Sequence, residues 1–531
     1  MAFSSLTPVI RTGGPAPIRT LLLLLLVSAL PILNAADYYV SPRGRDGASG
    51  TSPRDAWRSI ERVNEHLRQQ GLRPGEAIRF RGGAEFRGAL VVDRAGGGTR
   101  SQPAWITTYG RGRATLVPGA ETAVLLRETP WIVISNLVLQ GEQDGHGDGI
   151  RADRTQETGT PIPGIIITDC EAHGFAWHGI MIDASQRSRG YEDVRIERCL
   201  TTGNRHAGIM VYGGNPTGRN WRPHARVTVS DCVARDNPGD PDELRHHSGS
   251  GILLDGVDTG AIRRCVASGN GRECRNERGG PVGIWTHTSR AVVIERCESM
   301  GNQSSLHDGG GFDLDAGSEE CEMRFNFSHH NHGPGFLIYS YSGAAYSDRS
   351  NRVYGNISWN DGSPSTGYAG IQIGAESGCR ITGLEVFHNT VLAPFHSVAA
   401  FKVMGHSVQG VIRSNLVVGA RHGALVSVSG YDHSLQFSGN RYWRPGGTPV
   451  FLVDAQWVVP ELAAWRNATG PDYRFTAMNE HFADPGLVLR GTGQNWRTRT
   501  SPVWPQYSRQ RDAAWGAPLE PPPPDAAAEF P

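Results

Sequence analysis

Along most of the chain, short runs in which apolar and polar residues alternate are separated by glycine or by polar turn residues. Alternation at period two marks a strand with one buried face. From about residue 130 the alternation becomes a repeated phrase of Gly, apolar, any residue, apolar, any residue. It reads GIRAD from Gly149, GIMID from Gly179, GIMVY from Gly208, GILLD from Gly251, GIWTH from Gly283, GFDLD from Gly311, GFLIY from Gly335 and GIQIG from Gly370. The unequal intervals between these glycines suit stacked coils with loops of variable length, as in a solenoid.

A second register advances in step with the first. The strand ends IIITDC, VRIERC, VTVSDC, AIRRC and VVIERC place Cys170, Cys199, Cys232, Cys265 and Cys297 once per coil. The same column continues as Asn326, Asn356, Asn389, Asn415 and Asn440, with Asn136 expected one coil before the first cysteine. Like residues stacked at a strand spacing of ~4.8 Å predict an interior column. Asn amides there hydrogen-bond to turn backbone and to one another, while Cys serves as a small apolar filler. The two registers predict an all-β, single parallel β-helix rather than a disulfide framework. Cys274, Cys321 and Cys379 lie off the column, and their pairing is left open.

The flanks fit a capped solenoid. In Asp55 to Gln70, the residues Trp57, Ile60, Val63 and Leu67 share one helical face, which predicts an N-terminal capping helix. Tyr442 to about Leu489, with a short helix near Pro460 to Asn467, is expected to cap the other end. Residues 36–125 then hold the N-terminal cap and first coils, 126–441 the core, 442–510 the C-terminal cap, and 511–531 a Pro/Ala-rich tail. Arg11 and Arg19, the apolar run Leu21 to Leu33, and the small residues Ala35 and Ala36 read as a secretory signal peptide over residues 1–35. The expectation is a periplasmic or extracellular monomer, with no membrane association once the leader is removed.

Charge narrows the partners. Lys+Arg and Asp+Glu number 52 each, so no overall field marks a nucleic-acid or membrane-surface binder. Lys402 is the single lysine.

The segments DYYVSPRGRDGASGTSPRDAWRSI (Asp37 to Ile60), PGEAIRFRGGAEFRG (Pro74 to Gly88) and PAWITTYGRGRATLVPG (Pro103 to Gly119) resemble the entry segment of secreted right-handed parallel β-helix glycosidases and lyases of the pectin-lyase-like kind. WRNATGPDYRF (Trp465 to Phe475), followed by ADPG (Ala483 to Gly486), resembles their closing segment. The resemblance implies a right-handed coil and a polysaccharide or oligosaccharide substrate. It does not fix the reaction, because this scaffold hosts hydrolases, lyases, epimerases and adhesins. The chain does not carry the complete NTD, DD, GHG and RIK set of polygalacturonases, nor the DPHD motif of mannuronan epimerases. The lysine base of calcium-dependent pectate lyases would have to be Lys402 or an arginine in its place.

Within each repeated phrase the apolar positions face the core and the two others are expected to face solvent. One outer column reads Asp153, Asp183, Tyr212, Asp255, His287, Asp315 and Tyr339. Its neighbour reads Arg151, Met181, Met210, Leu253, Trp285, Asp313, Leu337, Gln372 and, with one adjustment, Lys402. Carboxylates, aromatics and a histidine on one face suit a sugar groove, in which rings stack on pyranoses and carboxylates move protons. Asp313 and Asp315 are the expected acid and base or nucleophile, assisted by Asp255 and His287. Tyr212, Trp285, Tyr339, Asp183, Gln372 and Lys402 are the expected substrate contacts. A glycosidase of this design needs no cofactor. The alternative enzyme is a lyase holding Ca²⁺ through Asp255, Asp308, Asp313 and Asp315, and the non-enzymatic alternative is a carbohydrate-binding surface protein using the same face. His246, His247, His329, His330 and His332 fall in turns, and none has the helical spacing of a zinc site.

Overall fold

The computed structural model describes residues 35–93, 96–154, 159–184, 189–214, 221–277, 279–341, 348–363, 367–393, 399–405, 407–430, 435–444, 450–453, 456–458 and 481–482. The signal-peptide reading, the helix near Pro460 to Asn467 and the tail therefore lie outside the described residues. Among those described, the chain winds through three sheets of 16, 14 and 14 strands, each coil adding one strand to each sheet in turn. Neighbouring strands are parallel, the exception being the pair Phe451–Val453 and Gln456–Val458. The chain is an all-β parallel β-helix, as the two registers predict.

Alternation sets the interior. Ile150, Ile180, Ile209, Ile252, Ile284, Phe312, Phe336 and Ile371 form one inward column of the Gly-led strands, all at most 1% exposed. The Cys-to-Asn column is interior as well. The backbone N–H of Asn326 donates to Asn356 Oδ1 at 3.0 Å, its amide nitrogen reaches Ile294 O at 2.9 Å, and the pattern repeats through Asn389, Asn415 and Asn440. Each amide thus satisfies backbone groups that water cannot reach. All eight cysteines are free and buried, Cys274, Cys321 and Cys379 among them.

One member of that column is misplaced by the sequence pattern. Asn136 has a φ of 58° and sits with Asp169 (56°), Asp231 (56°) and Phe325 (56°) at the left-handed turn residue that precedes the ladder. Leu137, fully buried, occupies the ladder position in that coil. Asn is favoured in both settings, because its short amide supports a left-handed backbone as readily as a stack, and the two uses look alike in sequence. A second ladder also runs through the next turn, from Asn204 through Asn237, Asn270 and Asn302 to Asn331, and ends on Asp361. It explains the repeated glycine. A Cβ on Gly283 would lie 2.0 Å from Ser299 Oγ and 2.6 Å from Asn302 Nδ2, and one on Gly311 would lie 2.1 Å from Ser328 Oγ.

The expected N-terminal helix forms over Ile60–Gln70, five residues later than its predicted start, with the hydroxyl of Ser59 accepting from Arg62 N–H as its N-cap. Trp57, Ile60, Val63 and Leu67 are buried as expected. Asn64 of this helix accepts from Val91 N–H at 2.9 Å and donates to Ala89 O at 2.8 Å, satisfying the free edge of the first Gly-led sheet strand, Leu90–Asp93.

Candidate functional site

The two outer columns are in register. Strand pairing joins Asp153 to Asp183, Asp183 to Tyr212 and Asp255 to His287. It joins Arg151, Met181, Met210, Leu253, Trp285, Asp313, Leu337, Gln372 and Lys402 in one line, with Lys402 directly opposite Gln372.

The face is not, however, open to solvent as predicted. Met181, Met210, Leu253 and Trp285 are buried with Ala207 and Val282 in a second hydrophobic cluster against which Tyr212 packs. The turns between coils lie over the strands: the ring of His247 meets Trp285 edge-on at 4.8 Å, and the Trp285 indole N–H donates to Ser250 Oγ at 3.3 Å. Of the expected sugar contacts, Trp285 is buried in this cluster, while Tyr212 stays partly exposed against it. Asp183 is buried and ion-paired with Arg151.

Farther along the same face the environment changes. Asp313 is 3% exposed, and among the described residues its Oδ1 has no hydrogen-bond partner. Burial, followed by the charges of Asp315, Asp308 and Asp348, pushes its carboxyl well above the usual range. Asp315, partly exposed, is pushed up to about 6 by burial, against the pull of His287. Asp348 is buried, and its Oδ1 accepts from Ser318 N–H at 3.0 Å.

Asp255 has a different task. Its Oδ1 lies 2.8 Å from His287 Nδ1 and accepts from Thr288 Oγ1 at 2.5 Å, and its Oδ2 accepts from Gly213 N–H at 3.2 Å. His287 Nε2 lies 3.0 Å from the Tyr341 hydroxyl, and the two rings stack with 5° between their planes. Although burial opposes its charge, the hydrogen bond and charge of Asp255 raise His287 to about 9. The ring is therefore an imidazolium at neutral pH, oriented by Asp255 and donating to Tyr341.

Three further predicted residues flank the cluster. Tyr339 is partly exposed and donates to Glu376 Oε1 at 3.3 Å. Gln372 is buried, and its Oε1 lacks a partner among the described residues. Lys402 donates to Gly367 O at 3.1 Å, and burial lowers its pKa.

The sequence pattern did not mark Tyr341, Tyr368 or Asp348. Tyr341 has the parity of Tyr339 and could have been found by extending the column two residues. Tyr368 donates to Asp308 Oδ1 at 3.3 Å, and its oxygen accepts from Asp308 N–H. Both it and Asp348 arrive from segments outside the Gly-led phrase.

The four aspartates named for calcium are not gathered into one ligand set. Among the described residues no three His, Cys, Asp or Glu side chains form a group that could hold a metal ion. The oxygens of Asp255 face His287, Thr288 and Gly213, and those of Asp308 face Tyr368 and Gly280 N–H.

Comparison with known proteins agrees with the architecture. A family model described as right handed beta helix region matches residues 148–357, within the parallel coils. No curated protein matches it in sequence. Similar solved structures include a GH136 lacto-N-biosidase from Eubacterium ramulus, 14% identical, covering 84% of this chain and 68% of that one with a TM-score of 0.46. The A-module of the mannuronan C-5 epimerase AlgE4 from Azotobacter vinelandii is 13% identical, covering 74% and 90% with a TM-score of 0.41. An alginate lyase from Paenibacillus sp. is 14% identical, covering 75% and 97% with a TM-score of 0.34. These likenesses concern the path of the backbone, so the chemistry rests on this chain's own side chains. Among the described residues no helix is long and apolar enough to cross a membrane.

Proposed function

We propose that this protein is an exported glycoside hydrolase that cleaves a polysaccharide or oligosaccharide with Asp313 and Asp315. The observation that carries the reading is the buried Asp313, whose Oδ1 has no hydrogen-bond partner among the described residues, beside the more accessible Asp315. Two carboxyl groups two residues apart, one on the strand Gly310–Leu314 and one just past its end, in environments that hold one as acid and leave the other ionised near neutrality, divide the roles of general acid and base or nucleophile. Asp313 donates its proton to the glycosidic oxygen. Asp315 is kept ionised by the imidazolium of His287, and it either activates water or attacks the anomeric carbon. Asp255 and Tyr341 position that imidazolium.

The charge balance also bears on the substrate. The ionised Asp315 opposes a uronate carboxylate at the same place, which favours a neutral sugar. Export rests on the leader-like composition of residues 1–35.

The test is a screen of the purified protein against neutral and acidic glycans, with and without chelator, reading reducing ends and the absorbance of unsaturated uronates together. Reducing ends without unsaturation, insensitive to chelator and lost in Asp313→Asn, are expected. Unsaturated product would overturn the hydrolase in favour of a lyase, and retention of a glycan without turnover would leave a binding protein.

A further inference from the structure

The outward parity of the Gly-led strands continues into the turns that precede them. In the strand His178–Asp183, Met181 and Asp183 point outward, and Trp177 two residues before Gly179 keeps that parity. Trp177 is 43% exposed, whereas the aromatic Trp285 on the same face is 5% exposed.

Its ring is held in place. Strand pairing sets His178 opposite Ala207, which puts Trp177 opposite His206, and their rings stack at 5.4 Å with 17° between planes. The backbone closes the same contact, with His206 N–H donating to Trp177 O at 2.8 Å. On the other side Trp177 N–H donates to Gly147 O in the preceding coil, and a glycine there presents no side chain to the second face of the indole. The adjoining turn exposes Glu142, Asp144 and His146. A fixed aromatic face, open on one side and rimmed by polar groups, is what a pyranose ring stacks on, its C–H face on the ring and its hydroxyls at the rim.

We propose that Trp177, braced by His206, is a second sugar-binding position of the groove, taking one pyranose ring of a neutral glycan whose bond is cleaved at Asp313. The proposal rests on the glycan-active reading. Four strand steps separate the coil of Trp177 from that of Asp313, or ~19 Å at ordinary strand spacing. Only a chain long enough to span both positions would engage both, so Trp177 would favour polymer over short oligosaccharides.

Affinity electrophoresis tests this with the full chain, in native gels cast with glucomannan, xylan, laminarin or dextran. The unsubstituted protein should be retarded by at least one of them. Trp177→Ala should weaken that retardation about threefold to tenfold, the range of a single aromatic contact, and Trp177→Phe should keep most of it. Trp105→Ala is the control, because Trp105 is 37% exposed on a strand of a different sheet and should leave retardation unchanged. Equal retardation of Trp177→Ala and the unsubstituted protein would overturn the inference, as would equal losses in the Trp177 and Trp105 variants. No retardation in any gel would overturn it too; products in the glycan screen would then leave the hydrolase standing, and their absence would remove both.

Discussion

Two aspartate-histidine pairs lie along the Gly-led sheet, and they have opposite surroundings. At the upstream pair, His178 Nδ1 lies 2.7 Å from Asp148 Oδ1, and both residues are buried. Arg151 reaches Asp148 at 3.2 Å and Asp153 at 3.9 Å and is paired with Asp183, so three carboxylates share one guanidinium. Burial would raise Asp148, but the hydrogen bond and charge of His178, with Arg151, hold it below the usual range. At the downstream pair, His287 is on the outer column, 20% exposed, and its far nitrogen meets Tyr341. Here the position in line with Arg151 is Asp313, and burial drives its carboxyl upward. One register position thus sets the two regions apart: a cation neutralises the upstream carboxylates, and a buried carboxyl stands in its place among the downstream ones, the proposed acid and base. A buried polar group left without its partner costs stability, and such costs concentrate where chemistry is done.

The comparison breaks most visibly at Asp313. Asp313→Asn should lower turnover by about a hundredfold to ten-thousandfold, the usual contribution of a general acid. It should also stabilise the fold. With its folded pKa above the ordinary 3.8, Asp313 binds a proton more tightly in the folded state, so its contribution falls as pH rises from that value through the folded pKa. Thermal melts at acid and neutral pH should therefore show a gain for the variant that is larger at neutral pH. A loss of stability at neutral pH would show that Asp313 is compensated after all.

Arg151→Gln should do the reverse. It leaves Asp148, Asp153 and Asp183 without their shared cation and should cost about 3 kcal/mol in denaturant unfolding, with turnover on short substrates retained. An unchanged midpoint would make the upstream region another uncompensated cluster.

His287→Gln sharpens the contrast by a smaller effect. The acid limb of activity should lie near pH 6, where Asp315 ionises, and loss of the neighbouring cation should move it up by about one unit. A pH profile that does not move would separate His287 from Asp315.

Much of this was legible in the chain. The Gly-led phrase and the Cys-to-Asn column each repeat once per coil, and their registers give the sheets, the inward face and the alignment of both outer columns, down to Gln372 opposite Lys402. The second Asn ladder was equally visible, at Asn204, Asn237, Asn270, Asn302 and Asn331, each closing a turn after a short strand. Asn136 shows where the pattern misleads, because a turn and a ladder reward the same side chain.

What the sequence by itself determined is the periodic part: which residues face in, which face out and which share a line, because strand alternation and parallel stacking are local rules applied coil after coil. What only the tertiary structure decided is which outward positions stay accessible. Loops of unequal length fold back over the sheet, burying Trp285 and leaving Trp177 open, and segments outside the Gly-led phrase bring Asp348 and Tyr368 to carboxylates far away in sequence. Burial and charge pairing depend on those non-periodic segments, and they separate the neutralised carboxylates beside Arg151 from the raised carboxyl of Asp313.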